Sequence, residues 1–395
     1  MNDKKIILNI LAQVNIAYKN RDISHADSFF YSLFIQNEPA FVTGTSDNEL
    51  CFDTESIKKL FISDWKYWGD LNLITDKAII KTYSDFAWVH CPATVKYTFS
   101  DNEETYNKFI GFIREYFDSQ SYDAKKSTDI KMAEINWLLA HLLHSREPKE
   151  NREYFWEIRV FFVLKKVDTR WCIKHIQFSL PKNSLFADER FSPYTYHEKA
   201  YISEVEYFVK HSNVKQLSAD EYSFIDEFSN AFFINNSSSK EDKIKFLSED
   251  IIFVNTDNLI LTNAENTEKK LSEIANFYNE ININIDNMIT YNSQNNIWLH
   301  TNGLLKKQSN RQELCNLTEK RILKILDKDI QKKDKLFSIR RESANLLKEC
   351  AYGTELIFPF KFNACISKHE NRLVFDYIQL SFPFENILEQ INDEF

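Results

Sequence analysis

The hexapeptide Ile-Gln-Phe-Ser-Leu-Pro occupies Ile176–Pro181, and the closely similar Ile-Gln-Leu-Ser-Phe-Pro occupies Ile378–Pro383 near the other end of the chain. An aromatic-rich run, a polar turn and a second apolar run lead into each copy, a pattern typical of two strands joined as a hairpin. Proline stops the hydrogen bonding of a strand. The sequence therefore predicts one hairpin that occurs twice and ends both times at the hexapeptide.

Two further blocks repeat upstream of the hairpins. FAWVHCPATVKYTF (86–99) matches NIWLHTNGLLKK (296–307), and AFVTGTSDNELCFDTESIKKLF (40–61) matches IIFVNTDNLILTNAENTEKKLS (251–272). Because the blocks keep their order, the chain is interpreted as a diverged tandem duplication. The predicted domains are residues 1–190 and 219–395, with a helical connector over 191–218.

The composition limits the classes of function. A chain of 395 residues with 43% hydrophobic residues is long enough for two or three folded domains. Its net charge of −9 disfavours binding to nucleic acid, and its longest apolar runs have the length of strands, so no membrane span is expected. Its six cysteines form no CxxC pair, which favours a reducing, cytoplasmic compartment.

Within each half the expected order is two helices, two short strands, a helix and then long antiparallel strands. The first helix is predicted over Lys4–Asn20 from its apolar stripe. The long strands of the first half are predicted over Leu71–Tyr83, Phe86–Phe99, Glu153–Lys165 and Trp171–Leu180. Helical insertions between long strands are expected over 105–116 and 128–145, and in the second half near 312–326 and 334–350. This order, together with FVTGTSDNEL…ESIKKLF and RWCIKHIQFSLP, resembles the nuclear transport factor 2/SnoaL-like superfamily. The resemblance implies an α+β fold of two tandem cone-shaped (cystatin-like) domains, each a curved antiparallel sheet wrapped on helices. It also implies that the two sheets pair as an internal pseudo-dimer, and further oligomerisation is compatible with it.

The resemblance implies a small apolar ligand inside a cone, and in some members an acid or base tuned by burial. Carried over to this chain, the general base of the isomerases falls near Gly44 and their tyrosine near Val14. Neither residue transfers protons, which disfavours that isomerase chemistry. Loops that would cradle a phosphate are missing from a chain with five glycines, so no cofactor is expected.

Candidate site residues lie on two neighbouring long strands. Glu157 and Arg159 share one face of the first strand, and His175 and Gln177 share one face of its hairpin partner. Two interpretations stay open: the four residues line a wall of a pocket, or they form a polar ladder on the convex face or at an interface between sheets. His141 and His144 lie on one side of a predicted helix, and such a pair can hold a metal when carboxylates join it. Because the sequence shows no HExxH pattern and no third ligand, the two histidines are interpreted as part of an ordinary helix face, and no metal site is expected.

Tryptophan is unevenly divided between the halves. Six of the seven lie in the first half, which favours a pocket there, with Trp65 and Trp68 near its rim; filling of a larger core is the alternative. The residues that recur at one position in both halves are interpreted as interface residues: Trp88, His90, Trp298 and His300. The expected function is binding of a small apolar or aromatic molecule by the first cone. Cofactor-free proton transfer of the lyase, isomerase or cyclase type is compatible with it, and a non-catalytic scaffold is the alternative.

Overall fold

The computed structural model describes the chain apart from residues 1–2, 46–48, 68, 100–101, 119–151, 182–194, 235–237, 257–258, 294, 309, 333–334, 337, 341, 344–345, 347–354, 370–371 and 383–395. The described residues fall into two compact units. The first ends at Pro181, and the second runs from Thr195 to Phe382.

The first unit has four α-helices and seven strands in its described part. The helices are α1 (Asp3–Asn20), α2 (Ala26–Leu33), α3 (Thr54–Tyr67) and α4 (Glu103–Asp118). The strands are β1 (Phe41–Thr43), β2 (Leu50–Cys51), β3 (Asp70–Leu73), β4 (Ile79–Thr82), β5 (Phe86–Phe99), β6 (Arg152–Val167) and β7 (Arg170–Ser179).

One sheet contains all seven strands of the first unit. Its order is β2-β1-β7-β6-β5-β3, and β4 also pairs with β5. The β1–β7 pair is parallel and the other pairs are antiparallel. The single long strand predicted over 71–83 is divided in the structure into β3 and β4, because a 3₁₀ turn at Thr75–Lys77 interrupts it.

The second unit repeats this plan. Its helices are α5 (Thr195–His211), α6 (Ala219–Ser229), α7 (Lys240–Ile244), α8 (Ala264–Phe277) and α9 (Arg311–Asp327). Its strands are β8 (Leu247–Val254), β9 (Ile260–Leu261), β10 (Glu280–Ile283), β11 (Ile289–Asn292), β12 (Asn296–Gln308), β13 (Glu355–His369) and β14 (Arg372–Ser381). The strand order of its sheet is β10-β12-β13-β14-β8-β9, β11 also pairs with β12, and the β8–β14 pair is parallel. Followed from the β9 edge, this is the same topology as that of the first sheet followed from β2.

Each sheet has an inner face, defined as the face that packs against the hydrophobic core with the helices, and an opposite outer face. On β5 and β6 the inner face carries Val89, Cys91, Val160 and Phe162, which alternate with residues of the outer face. On β12 and β13 the inner face carries Leu299, Leu305, Phe360 and Phe362. The core of the first unit therefore lies between its inner face and helices α1, α2 and α3, and that of the second between its inner face and helices α6 and α8. Helix α5 lies on the outer face of the second sheet, where Phe208 stacks on His300.

The two hairpins share an irregularity. The register of β6 with β7 shifts between Val163 and Leu164, and that of β13 with β14 shifts between Cys365 and Ile366. Since Trp88 pairs with Val163 and Trp298 pairs with Cys365, the two bulges occupy the same position. In each hairpin the second strand, β7 or β14, carries one extra residue at the shift, which makes it a β-bulge. The extra residue reverses the face to which all later side chains of that strand point. Both bulged strands then end at the serine of the repeated hexapeptide.

The predicted fold class, α+β in two tandem units, is confirmed, and the pairing registers confirm that the units are equivalent. The predicted domain boundary at residue 190 lies outside the described residues. The helix predicted as a connector is α5, which belongs to the second unit and contacts β12 and β13. The predicted helix at 128–145 also lies outside the described residues, as does much of the one at 334–350.

Candidate functional site: a tyrosine–carboxyl pair in the first unit

A tyrosine and an aspartate from two different helices meet within the first unit. Tyr18, in the last turn of α1, is 1% exposed and donates a 2.7 Å hydrogen bond from its hydroxyl to Oδ2 of Asp64 on α3. Both helices bury their apolar stripes against the inner face. The pair therefore combines a phenol and a carboxyl at the boundary of an apolar core.

Arg21 holds the end of α3 on which Asp64 lies. Its guanidinium donates to the carbonyl oxygens of Asp64 and Trp65 at 2.8 Å each, and to Oδ1 of Asp70 at 2.6 Å. The last carbonyls of a helix lack partners within the helix and attract cations. Arg21 adopts a left-handed backbone conformation, with φ of 52°. This conformation ends α1 and lets the arginine side chain reach α3.

A second carboxylate lies near this pair. Glu49 belongs to the turn between β1 and β2, where its carbonyl accepts a 2.8 Å hydrogen bond from the amide of Gly44. A Cβ built on Gly44 would lie 1.9 Å from Oε2 of Glu49. The carboxylate of Glu49 thus fills the space that a side chain at position 44 would need.

The proximity of these groups shifts their acidities. Burial, followed by repulsion from Glu49, raises the pKa of Asp64 to about 7, against the opposing effects of the Tyr18 hydrogen bond and Arg21. Burial and the charge of Asp64 raise the pKa of Tyr18 well above its usual value. Burial and Glu49 also raise the pKa of the nearby Cys51 thiol to about 12. Near neutral pH Asp64 exists in both protonation states, and Tyr18 and Cys51 keep their protons.

Aromatic rings surround the pair. Trp65 is 4% exposed, and its ring lies edge-on to Tyr18 at 6.4 Å and to Phe29 at 5.4 Å. Phe61 contacts Tyr18 and Phe178. The indole N–H of Trp65 is buried and has no hydrogen-bond acceptor within the described residues. Trp65 is thus a core residue beside the pair, and Trp68, its predicted partner at a rim, lies outside the described residues.

The equivalent place in the second unit is filled by apolar side chains. Helices α3 and α8 have the same length and precede equivalent strands, so Ile274 takes the position of Asp64. The pair Ala93 and Ile158 corresponds to Gly303 and Phe360. The Phe360 ring lies over Gly303, where a Cβ would come within 2.3 Å of it.

The interior cavity beside Ile274 and Phe360 in the second unit measures about 10 Å³, room for about one water molecule. Its lining is entirely apolar: Phe233, Ile274, Ile281, Leu305, Phe360 and Leu380.

The four predicted strand residues lie on the outer face of the first sheet. Arg159, His175 and Gln177 are buried, and Glu157 is exposed. The imidazole of His175 stacks on Phe41 at 4.9 Å, with Nδ1 3.0 Å from the Phe41 carbonyl oxygen. The structure brings these residues together across neighbouring strands, but on the face turned away from Tyr18 and Asp64. A ligand site on that outer face stays a prediction.

The residues shared by both halves also lie on the outer faces, in equivalent registers. Trp88 stacks on Phe161 at 6.4 Å. Trp298 stacks on His300 at 6.2 Å and donates from Nε1 to Oδ1 of Asn363 at 2.6 Å. Burial, reinforced by the charge of Arg159, lowers the pKa of His90 to about 3, so this imidazole is neutral. Their role at an interface between domains stays a prediction.

The described residues contain no group of three or more histidine, cysteine or acidic side chains placed to hold a metal ion. His141 and His144 lie outside the described residues. Among the helices in the described ranges, none combines the length and apolarity needed to cross a membrane.

The sequence analysis missed Tyr18, Glu49 and Asp64 as site residues. A signal was present for two of them, because Tyr18 and Asp64 are the polar members of the apolar stripes of α1 and α3. Glu49 gave no comparable signal. Its approach to Gly44 depends on the pairing of β1 with β2, which the order of residues does not specify.

Comparison with known proteins shows similarity in structure alone. No family model matches the chain, and no curated protein matches its sequence. The chain is similar to a cystatin-like protein of unknown function from Nostoc punctiforme (13% identity, TM-score 0.26, 47% of this chain and 94% of that chain). It is also similar to an NTF2-like protein of unknown function from Shewanella oneidensis (12% identity, TM-score 0.24, 44% of this chain and 96% of that chain). A third similar structure is a scytalone dehydratase-like protein from Novosphingobium aromaticivorans (13% identity, TM-score 0.27, 46% of this chain and 89% of that chain).

Proposed function

We propose that the first unit binds a small, largely apolar or aromatic molecule beside Tyr18 and Asp64 and exchanges a proton with it without a cofactor. The reaction class is that of a lyase, isomerase or cyclase. The observation that carries the proposal is the part-buried hydrogen bond from the buried Tyr18 to Asp64, a carboxyl whose pKa lies at about 7. In the second unit the equivalent position is Ile274, so the packing of the fold does not require this pair.

The chemistry follows from the two protonation states of Asp64. A general base works best when its pKa is near the working pH, because it then exists partly as the base and still binds a proton well. Ionised Asp64 accepts a proton from the bound molecule, and the Tyr18 hydroxyl stabilises the carboxylate before the transfer. The neutral carboxyl then returns the proton to another atom or to solvent. The apolar surroundings keep bulk water away from the exchange.

Native mass spectrometry of the protein as purified, compared with its denatured mass, tests binding. We expect one small-molecule adduct per chain, reduced in Y18F and D64N. The matched control is the Tyr222–Asp286 pair of the second unit, which has the same 2.7 Å hydrogen bond but is exposed. Y222F and D286N should leave the adduct unchanged. A bare protein that forms higher oligomers would instead support the scaffold alternative.

Proton transfer is tested with 2-tetralone, an uncharged bicyclic aromatic ketone that has acidic α-protons. We expect the protein to accelerate α-proton exchange in deuterium oxide, followed by NMR, and expect D64N to lose about 10²–10⁴-fold of the acceleration. D286N should retain the full rate. Equal rates in the wild-type protein and D64N would contradict a role for Asp64 as the base.

A further inference from the structure

The helix inserted between the long strands of the second unit is packed along its first half only. Helix α9 is buried at Leu314 and Thr318, whereas every residue from Glu319 to Asp327 is exposed or half-buried. This second half is about 13 Å long, at the rise of an α-helix. It therefore extends beyond the packed part of the unit.

A following segment holds α9 in a helical hairpin. The described residues between 332 and 346 are helical, and we call them the return segment. Its Lys335 donates from Nζ to the carbonyl oxygen of Leu326 at 2.6 Å, and its Glu342 pairs with Arg321 at 3.7 Å. Because the later residue of the return segment contacts the earlier residue of α9, the two run antiparallel.

Leucine side chains are exposed at the end of this hairpin. The exposed fractions are 53% for Leu323 and 48% for Leu326, which lie three positions apart and thus on one side of α9. Leu336 is 70% exposed and follows Lys335, the residue that contacts the end of α9. We call these three leucines the leucine tip. Apolar side chains grouped on an exposed surface indicate an interaction site.

Lysines accompany the leucine tip. Lys320 and Lys324 are exposed and lie one turn apart on α9, each beside a leucine or the turn that precedes it. Lysine stems lie along apolar surface while their ammonium groups stay in water. The exposed side of the second half of α9 thus combines apolar and cationic groups.

The charge of the hairpin is opposite in sign to that of the protein. Residues 319–342 include nine basic and five acidic residues, whereas the whole chain has 49 basic and 58 acidic residues. Asp327 and Asp329, which are exposed in the turn, reduce the positive charge of the hairpin without reversing it. The hairpin is therefore complementary to an anionic partner.

The hairpin favours a flat partner over a groove. A protein groove that binds an amphipathic helix receives its apolar anchors from a helix that is free to enter. Helix α9 is instead covered by its own unit at Leu314 and Thr318, and the return segment lies along it. A bilayer surface needs access from one side only, and it offers an apolar boundary beneath anionic headgroups.

We propose that the leucine tip docks on the surface of a bilayer that contains anionic phospholipids. The three leucines enter the boundary between headgroups and acyl chains, and Lys320 and Lys324 contact the headgroups. This interaction surface is separate from the site of Tyr18 and Asp64, and the inference does not rest on the proposed function.

Flotation of the full chain with lipid vesicles tests the inference. Vesicles of phosphatidylcholine alone are compared with vesicles that also contain about 30% phosphatidylserine, in about 0.1 M salt. We expect the anionic vesicles to bind the protein at least about tenfold more tightly than the neutral ones. Most of this binding should be lost in about 0.5 M salt, because salt screens the attraction.

The apolar contribution is tested with L323S/L326S, which should weaken binding to the anionic vesicles at least about tenfold, because two leucines lose their burial. The matched control is I202S/V209S on α5, which replaces two apolar residues of the same unit that are 52% and 57% exposed. This control should leave vesicle binding unchanged.

The electrostatic contribution is tested with K320Q/K324Q, which should weaken binding about 10–30-fold. The control K240Q/K245Q removes two lysines of α7 whose side chains are 52% and 55% exposed, and it should have no effect.

Removal of the opposing charges in D327N/D329N should strengthen binding about 10–30-fold. Equal binding to the two kinds of vesicle, no binding to either, or unchanged binding in L323S/L326S would overturn the inference. Sedimentation velocity identifies a different occupant. A dimer that the wild-type protein forms and L323S/L326S does not would assign the leucine tip to a second copy of the chain. Binding to poly-L-glutamate as tight as binding to the vesicles would assign it to an acidic polypeptide, and either result would overturn docking on a bilayer.

Discussion

At the scale of single residues, Asp64 has a predictable effect on stability. Its pKa in the folded protein, about 7, lies above its usual value of 3.8, so the native state holds the proton more tightly than the unfolded chain. The resulting stability is fully present below about pH 4 and is lost as the pH rises through 7. D64N cannot ionise and should not show this loss. We expect D64N to unfold with about 1–3 kcal/mol more free energy than the wild-type protein at pH 8, and with no such gain at pH 4.

Urea unfolding followed by tryptophan fluorescence measures this difference, because six of the seven tryptophans lie in the first half of the chain. D286N is the control and should show no comparable change with pH. A constant difference between D64N and the wild-type protein from pH 4 to 8 would contradict the raised pKa.

Arg21 and Asp168 are the two non-glycine residues that adopt positive φ within the described chain, at 52° and 56°. Glycine relieves this backbone strain at either position. D168G should therefore stabilise the protein by up to about 1 kcal/mol. R21G also loses the bonds to α3 and Asp70, and we expect a net destabilisation of about 1–3 kcal/mol. Thermal unfolding measures the change in melting temperature of each variant, which should rise in D168G and fall in R21G. Equal changes in the two variants would show that the Arg21 side chain contributes nothing to stability.

At the scale of elements, close packing where β10, β12 and β13 meet fills the interior of the second unit. A Cβ on Gly303 would lie 2.3 Å from the Phe360 ring and 2.6 Å from the carbonyl oxygen of Asn282. We expect G303A to cost about 1–3 kcal/mol through overcrowding. The double variant G303A/F360I reproduces Ala93 and Ile158 of the first unit and should recover part of that loss. A double-mutant cycle measures the coupling, and strictly additive effects would contradict the steric relation.

Sequence reasoning worked best for elements whose apolar period is long and regular. Strand β5 was predicted with the bounds that the structure has, and α1 was predicted from the stripe that packs against the inner face. The division into β3 and β4 was missed, because a 3₁₀ turn of three residues leaves the apolar pattern nearly continuous. The tyrosine–carboxyl pair was missed because its two members come from helices 46 positions apart, and only tertiary packing brings them together.

At the scale of the whole molecule, two copies of one framework carry different interiors. Asp64 and Ile158 in the first unit correspond to Ile274 and Phe360 in the second, where the remaining cavity has about the volume of one water molecule. We therefore expect the ligand to occupy one site per chain. The number of small-molecule adducts per chain in native mass spectrometry measures this number, and two adducts would show that the second unit also binds.

The bulge shared by β7 and β14 has a consequence for recognising related units. The two hairpins have few residues in common, yet both carry the bulge at the same register. Bulges are features that related sheets retain. We therefore expect other units of this kind to be recognisable by the position of the bulge even where the hexapeptide is absent.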